Sequence, residues 1–123
     1  MKSDKPIVVL VSKNLVFLPR IEAAAGSTLK VRRLTNPDLA LDLVKEYDIR
    51  AIIVDLEEEK NLWKPALKKL NQHFSNMNKN VLSIAYGPHE DKQSMSEAQE
   101  MGCDHVLAKG AFVNQIRGLL HPQ

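Results

Sequence analysis

The sequence is poor in cysteine and glycine and has no long apolar run, and each shortage rules something out. Cys103 is the single cysteine among 123 residues. It can form no internal disulfide, and neither a zinc site nor a redox pair can be assembled from it. The five glycines supply no Gly-x-Gly-x-x-Gly and no P-loop after the first strand, so a nucleotide role lacks its usual phosphate cradle. Met1-Lys2-Ser3-Asp4-Lys5-Pro6 leads into only five apolar residues, too few for a signal peptide or a membrane span. An excess of one charge is missing too. Lys and Arg number 17 against 15 Asp and Glu, a net charge of +2, and the basic residues are scattered. That gives no electrostatic basis for binding nucleic acid. A cytoplasmic protein with neither nucleic acid nor membrane as partner is the expectation.

What is present reads as one domain spanning residues 1–123. A hydrophobic fraction of 44% and a charged fraction of 26% are ordinary for a globular chain able to bury its own core. The organising stretch is Ala51-Ile52-Ile53-Val54-Asp55-Leu56. Its apolar run is rich in β-branched residues and stops at a carboxylate, as a strand buried on both faces does in a parallel sheet. In open α/β sheets, ligands and chemistry gather at the carboxyl ends of the strands. Asp55 stands at such an end, either as a functional group or as the start of a turn.

Ile7–Val11 reads as a first strand ending at Ser12-Lys13-Asn14, followed by a helix over about 15–25 that tolerates Pro19 only if it begins near Leu18. Residues 29–34 form a half-polar second strand suited to a sheet edge. Thr35-Asn36-Pro37-Asp38 is a helix-start signature, and Leu39, Ala40, Leu43, Val44 and Tyr47 follow as an apolar stripe. Asn61 is expected to cap a third helix whose Trp63, Ala66, Leu67, Leu70 and Phe74 line one face. Val81–Ala85 is expected as the fourth strand, running into a rim loop of Tyr86, Gly87, Pro88 and His89. A thin helix over 91–101, a short strand Val106–Ala108 and a last helix after Lys109-Gly110 complete the chain. Five strands alternating with five helices predict a doubly wound parallel α/β sheet of the flavodoxin-like kind, order 2-1-3-4-5, with helices on both faces.

That order brings Ser12-Lys13, Asp55 and Lys109 to one crevice, with Ala85 and Tyr86 beside them. The arrangement resembles the receiver domain of bacterial response regulators, the CheY-like family, over nearly the whole chain. The resemblance implies a phosphoacceptor at Asp55, ending the third strand, and a switch lysine at Lys109, ending the fifth. It also implies departures. Receivers hold magnesium with an acidic pair ending the first strand, where this chain has Ser12 and Lys13. They place Ser or Thr at the end of the fourth strand, aligned with Ala85, and an aromatic early in the fifth, aligned with Val106. The resemblance therefore points to a degenerate, stand-alone receiver-like module of two-component signalling, acting through protein contact with phosphorylation lost or atypical. The alternative is a working phosphoacceptor in a phosphorelay, phosphorylated on Asp55.

Physical chemistry gives the losses a consequence. Magnesium wants oxygen ligands and commonly one or two carboxylates. An ammonium in place of the acidic pair would hold Asp55 as a paired ion, worth roughly 4 kcal/mol at ~4 Å and an effective dielectric of about 20, before desolvation. No cofactor is expected, magnesium entering only if Glu57 and Glu58 fold back to supply the missing carboxylates. Protein partners are expected at the fourth helix, fifth strand and fifth helix, a face carrying Met95, Met101, Phe112 and Val113, and a homodimer is compatible with it. His89 is read as an exposed imidazole in a turn, or as a pH-sensitive or ligand-contacting rim group. Cys103, before the fifth strand and away from the crevice, is read as structural. No enzymatic activity is expected, because no nucleophile–base pair can be drawn.

Overall fold

A computed structural model describes residues 5–122. The elements follow in strict alternation: β1 (Ile7–Val11), α1 (Leu18–Ala25), β2 (Lys30–Arg33), a 3-10 turn (Pro37–Leu39) opening α2 (Ala40–Glu46), β3 (Ile49–Asp55), α3 (Lys60–Asn76), β4 (Leu82–Gly87), α4 (Lys92–Glu100), β5 (His105–Ala108) and α5 (Lys109–Leu120). All strand pairs are parallel, and the sheet order is β2-β1-β3-β4-β5. The expected fold class and strand order are those observed.

Alternation along the buried strands divides the core between two layers. Val9, Val11, Ile52, Val54 and Ala85 pack against Val44, Trp63, Leu67, Leu70, Phe74 and Ala98 of α2, α3 and α4. Val8, Leu10, Ile53, Ile84 and Tyr86 pack against Ile21, Ala25, Phe112 and Ile116 of α1 and α5. Charged β2, with Lys30, Arg32 and Arg33 exposed, takes one edge, and half-buried β5 takes the other. The stripe Trp63–Phe74 is core, as its spacing predicts.

Helix ends differ in detail from expectation. Helix α1 begins at Leu18, which places Pro19 in the first turn where its missing N–H costs nothing. Asn36 caps the 3-10 turn through Asp38 N–H, and Asp91 caps α4 through Ser94 N–H. Helix α3 starts at Lys60 after Glu59, without a side-chain cap, so Asn61 lies inside it. The far end of α5 is tied to the far end of α1. His121 Nε2 lies 3.0 Å from the carbonyl oxygens of Ala24 and Ala25, and Arg117 donates to Ala23 O at 3.4 Å. These donors satisfy terminal carbonyls that the helix itself leaves open.

Strand β4 runs two residues beyond its expected end, so Tyr86 and Gly87 belong to the sheet and not to a rim loop. The ladder pairs Asp55 with Tyr86 and Gly87 with Ala108, and Leu56 N–H donates to Tyr86 O at 2.9 Å. Gly87 makes this extension fit, because a Cβ there would lie 3.0 Å from Leu56 Cβ. Gly87→Ala is therefore expected to destabilise the fold by roughly 1–3 kcal/mol through overpacking, read as a lower urea midpoint at unchanged slope.

Candidate functional site

The carboxyl end of the sheet is built by strand parity. Asp55 continues the Ala51–Ile53 side of β3, Tyr86 continues the Ile84 side of β4, and Ser12 follows the Val8–Leu10 side of β1. All three side chains therefore turn toward the α1/α5 layer and meet. Ser12 is 0% exposed and Asp55 3%. Ser12 Oγ donates to Asp55 Oδ2 at 2.8 Å, and Glu57 N–H donates to Asp55 Oδ1 at 2.9 Å. Both carboxylate oxygens are engaged. Glu58 N–H also reaches Asp55 O at 3.2 Å, so Asp55 does open a turn as well as stand at the crevice.

Tyr86 packs in the core layer next to this pair. Its ring stacks on Phe112 at 4.3 Å and meets Phe17 edge-on at 5.3 Å, while its hydroxyl faces Ser12 and Asp55. Burial, with the Asp55 charge beside it, pushes the phenol well above its ordinary range. Burial likewise raises the Asp55 carboxyl. The Glu57 amide and Ser12 hydroxyl pull the other way, and the Glu57 and Glu58 charges add to the rise.

Two expected placements are corrected. Lys13 does not pair with Asp55. One residue past Ser12, its side chain turns outward and is exposed, where the ammonium keeps its hydration. Its backbone N–H instead donates to Glu58 Oε2 at 2.5 Å. Lys109 stands directly after β5. Its ammonium pairs with the exposed Glu57 carboxylate and lies 5.9 Å from the Phe17 ring centroid. Ala85 pairs with Val54 and packs in the opposite core layer, so the fourth-strand side chain that faces Asp55 is Tyr86. A one-residue offset in register exchanges the two faces of a strand.

Glu58 folds back, as one expectation allowed, with Oε2 3.4 Å from Ser12 Oγ. The donor set still does not fit a divalent ion of the kind receivers hold. Among the described residues the one buried carboxylate has both oxygens engaged, Glu58 is committed to a backbone N–H, and Glu57 to a lysine. Among the described residues no three His, Cys, Asp or Glu side chains converge as metal ligands.

The remaining candidates lie apart from this cluster. His89 is exposed and sits 3.1 Å from its neighbour Glu90. Cys103 packs against the core before β5, and burial raises its thiol to about 11, so it is protonated at neutral pH. On the α4–β5–α5 face Met95, Met101, Val106, Leu107 and Val113 are half-buried, and Phe112 is fully buried. Among the described residues no helix is long and apolar enough to cross a membrane.

With this geometry in hand, comparison with solved structures is informative. A putative response regulator from Chloroflexus aurantiacus superposes with a TM-score of 0.71 at 18% identity, over 95% of this chain and 98% of that one. The Mn2+-bound form of a second response regulator gives 0.71 at 11% identity, over 96% of both chains. The receiver domain of a Saccharomyces cerevisiae response regulator, solved together with a histidine phosphotransfer protein, gives 0.68 at 18%, over 91% and 86%. No family model matches the sequence, and no curated protein matches it. The chain has the receiver-domain fold.

The raised Asp55 value has a sign that can be checked. Between the ordinary carboxylate range and the raised value, the folded state holds a proton that the unfolded chain has released, so stability falls as pH rises through that window. Asp55→Asn is expected to remove this dependence and to raise the urea midpoint at neutral pH. Ser12→Ala leaves Oδ2 without its donor and should cost about 1–3 kcal/mol. Urea titrations of both variants between pH 4 and 8, roughly the span where a raised carboxyl titrates, check both outcomes.

Proposed function

We propose that this chain is a receiver-type signalling module that works in the cytoplasm through protein contact and takes up no phosphoryl group. One observation carries the reading: the carboxylate that would accept the phosphoryl group is closed on every side. Phosphoryl transfer to a carboxylate needs an oxygen positioned for attack and a cation to neutralise the charge that develops. Both Asp55 oxygens already accept hydrogen bonds, the Tyr86 phenol faces them, and the lysine after β5 is turned to Glu57. At the end of β1, the receivers' magnesium carboxylates are replaced by a hydroxyl and an outward lysine. No resident cofactor and no turnover chemistry follow from this reading.

What remains usable is the surface. A histidine phosphotransfer protein is the partner of one structural neighbour, and a protein partner is the kind of ligand this reading gives the present chain. The α4–β5–α5 face was the expected place for it, but its methionines are partly committed to the core.

The second reading is a phosphoacceptor in a phosphorelay. It is favoured by Asp55 at the end of β3 and Lys109 directly after β5. The exposed Glu57–Lys109 pair is of a class worth about 0–1 kcal/mol, little obstacle to releasing the lysine. Incubation with magnesium and acetyl phosphate separates the two. The intact mass is expected to stay unchanged, whereas a phosphate adduct abolished by Asp55→Asn would establish the phosphoacceptor.

A further inference from the structure

A cleft of about 950 Å3 opens at the amino ends of β4 and β5, the opposite end of the sheet from Asp55. That volume lies within the range of small-molecule sites, about 300–1,000 Å3. One wall is the end of α3 with the loop after it, and the other is the turn from α4 into β5. Both walls are tied in place. Asn71 Nδ2, on α3, donates to Met101 O at 3.0 Å and so joins one wall to the other. Ser83 N–H donates to Asp104 Oδ2 at 2.9 Å, and Asp104 N–H donates back to Ser83 O at 2.9 Å. Asn78 N–H donates to Ser75 O at 3.0 Å and Lys79 N–H to Phe74 O at 2.9 Å, which closes the end of α3. Walls held in advance lower the ordering cost of binding.

The lining keeps hydrogen-bonding capacity that the fold does not use. Asp104 gives Oδ2 to Ser83, and Asn71 gives its side-chain N–H to Met101. The second oxygen of Asp104, the Asn71 carbonyl, the Asn78 and Asn80 amides and the His105 ring have no bonding partner among the described residues. The lining holds one carboxylate, Asp104, and one ammonium, Lys79. That ammonium is already engaged, 3.3 Å from Asp48 Oδ1 and 5.8 Å from the Phe74 ring centroid. An anionic ligand would therefore face a free carboxylate oxygen with the ammonium committed elsewhere. Phe74 is buried with the lysine over its ring, so ring stacking is not what the cleft offers. A side-chain amide offers donors and an acceptor, a carboxylate oxygen accepts, and a hydroxyl does both. Several hydroxyls on an uncharged frame match this set.

We infer that the cleft at the amino ends of β4 and β5 binds a small neutral polyhydroxylated molecule of the saccharide class. The site lies apart from the Asp55 crevice and does not depend on how the protein-contact reading fares.

The test titrates the full chain, 15N-labelled, with maltose, inorganic phosphate and spermidine as the neutral, anionic and cationic probes. Maltose is expected to produce saturable amide shifts centred on residues 71, 78–83 and 101–105, and the two charged probes none there. Asn80→Ala, in an exposed loop, should weaken maltose binding about threefold or more, as for one ordinary hydrogen bond. Asp104→Asn keeps an oxygen for Ser83 N–H but turns the free oxygen into an N–H donor. It should weaken maltose binding about tenfold or more, as for a hydrogen bond to a charged group. Circular dichroism checks that both variants keep the fold, and Asn80→Ala carries the test alone if Asp104→Asn does not. No saturable maltose shifts, shifts centred elsewhere, or unchanged binding by the folded variants would overturn the inference. Shifts of the same amides by phosphate or by spermidine would overturn it as well, by making the cleft an ion site.

Discussion

The hydrogen bond from Ser12 to Asp55 is the contact on which the carboxyl end of the sheet depends. A carboxylate this deeply buried is costly unless its oxygens find donors. The hydroxyl at the end of β1 serves one oxygen and the first amide of the β3–α3 loop serves the other. The same Ser12 oxygen then accepts Asn14 N–H and starts the turn into α1. One side chain therefore couples the central carboxylate to the loop at the mouth of the crevice. Glu58, bonded to Lys13 N–H, joins the two loops a second time.

The crevice that results is organised mainly by uncharged groups. An ion would organise several carboxylates by charge. Here neutral hydroxyls, backbone amides and an aromatic stack do the organising, and the cations are pushed to the periphery. Lys13 points to water and Lys109 to Glu57. The Tyr86–Phe112 stack fills the volume next to Asp55 with apolar surface, which lowers the local dielectric and makes an unpartnered charge there still more costly. The buried acid is held by donors that carry no charge.

The architecture was legible because its signals are periodic and redundant. Uninterrupted apolar runs at Ile7–Val11 and Ala51–Val54, the polar second strand and the short fifth strand fix parallel pairing and the edges together. Asp55 and Lys109 could be assigned to strand ends because each follows its apolar run directly. The site was less legible because it turns on parity and on side-chain direction. At Ser12-Lys13 only one of two neighbours can face the crevice, and the apolar run does not say which. At Ala85-Tyr86 the strand continues past a tyrosine that, next to Gly-Pro, reads as loop, so the assigned face is off by one residue. The return of Glu58 onto Lys13 N–H is a contact between loops, which no local pattern encodes.

The charged second strand has a consequence for how copies of the molecule meet. As the outermost strand of a parallel sheet, β2 leaves one row of backbone donors and acceptors unmet, the kind of template that invites strand addition and fibrils. Lys30, Arg32 and Arg33 stand along that row, exposed. A second molecule offering the same edge would bring three more cations within a few ångströms of them. Sheet-to-sheet growth is thus disfavoured by charge at this edge, without any change to the core.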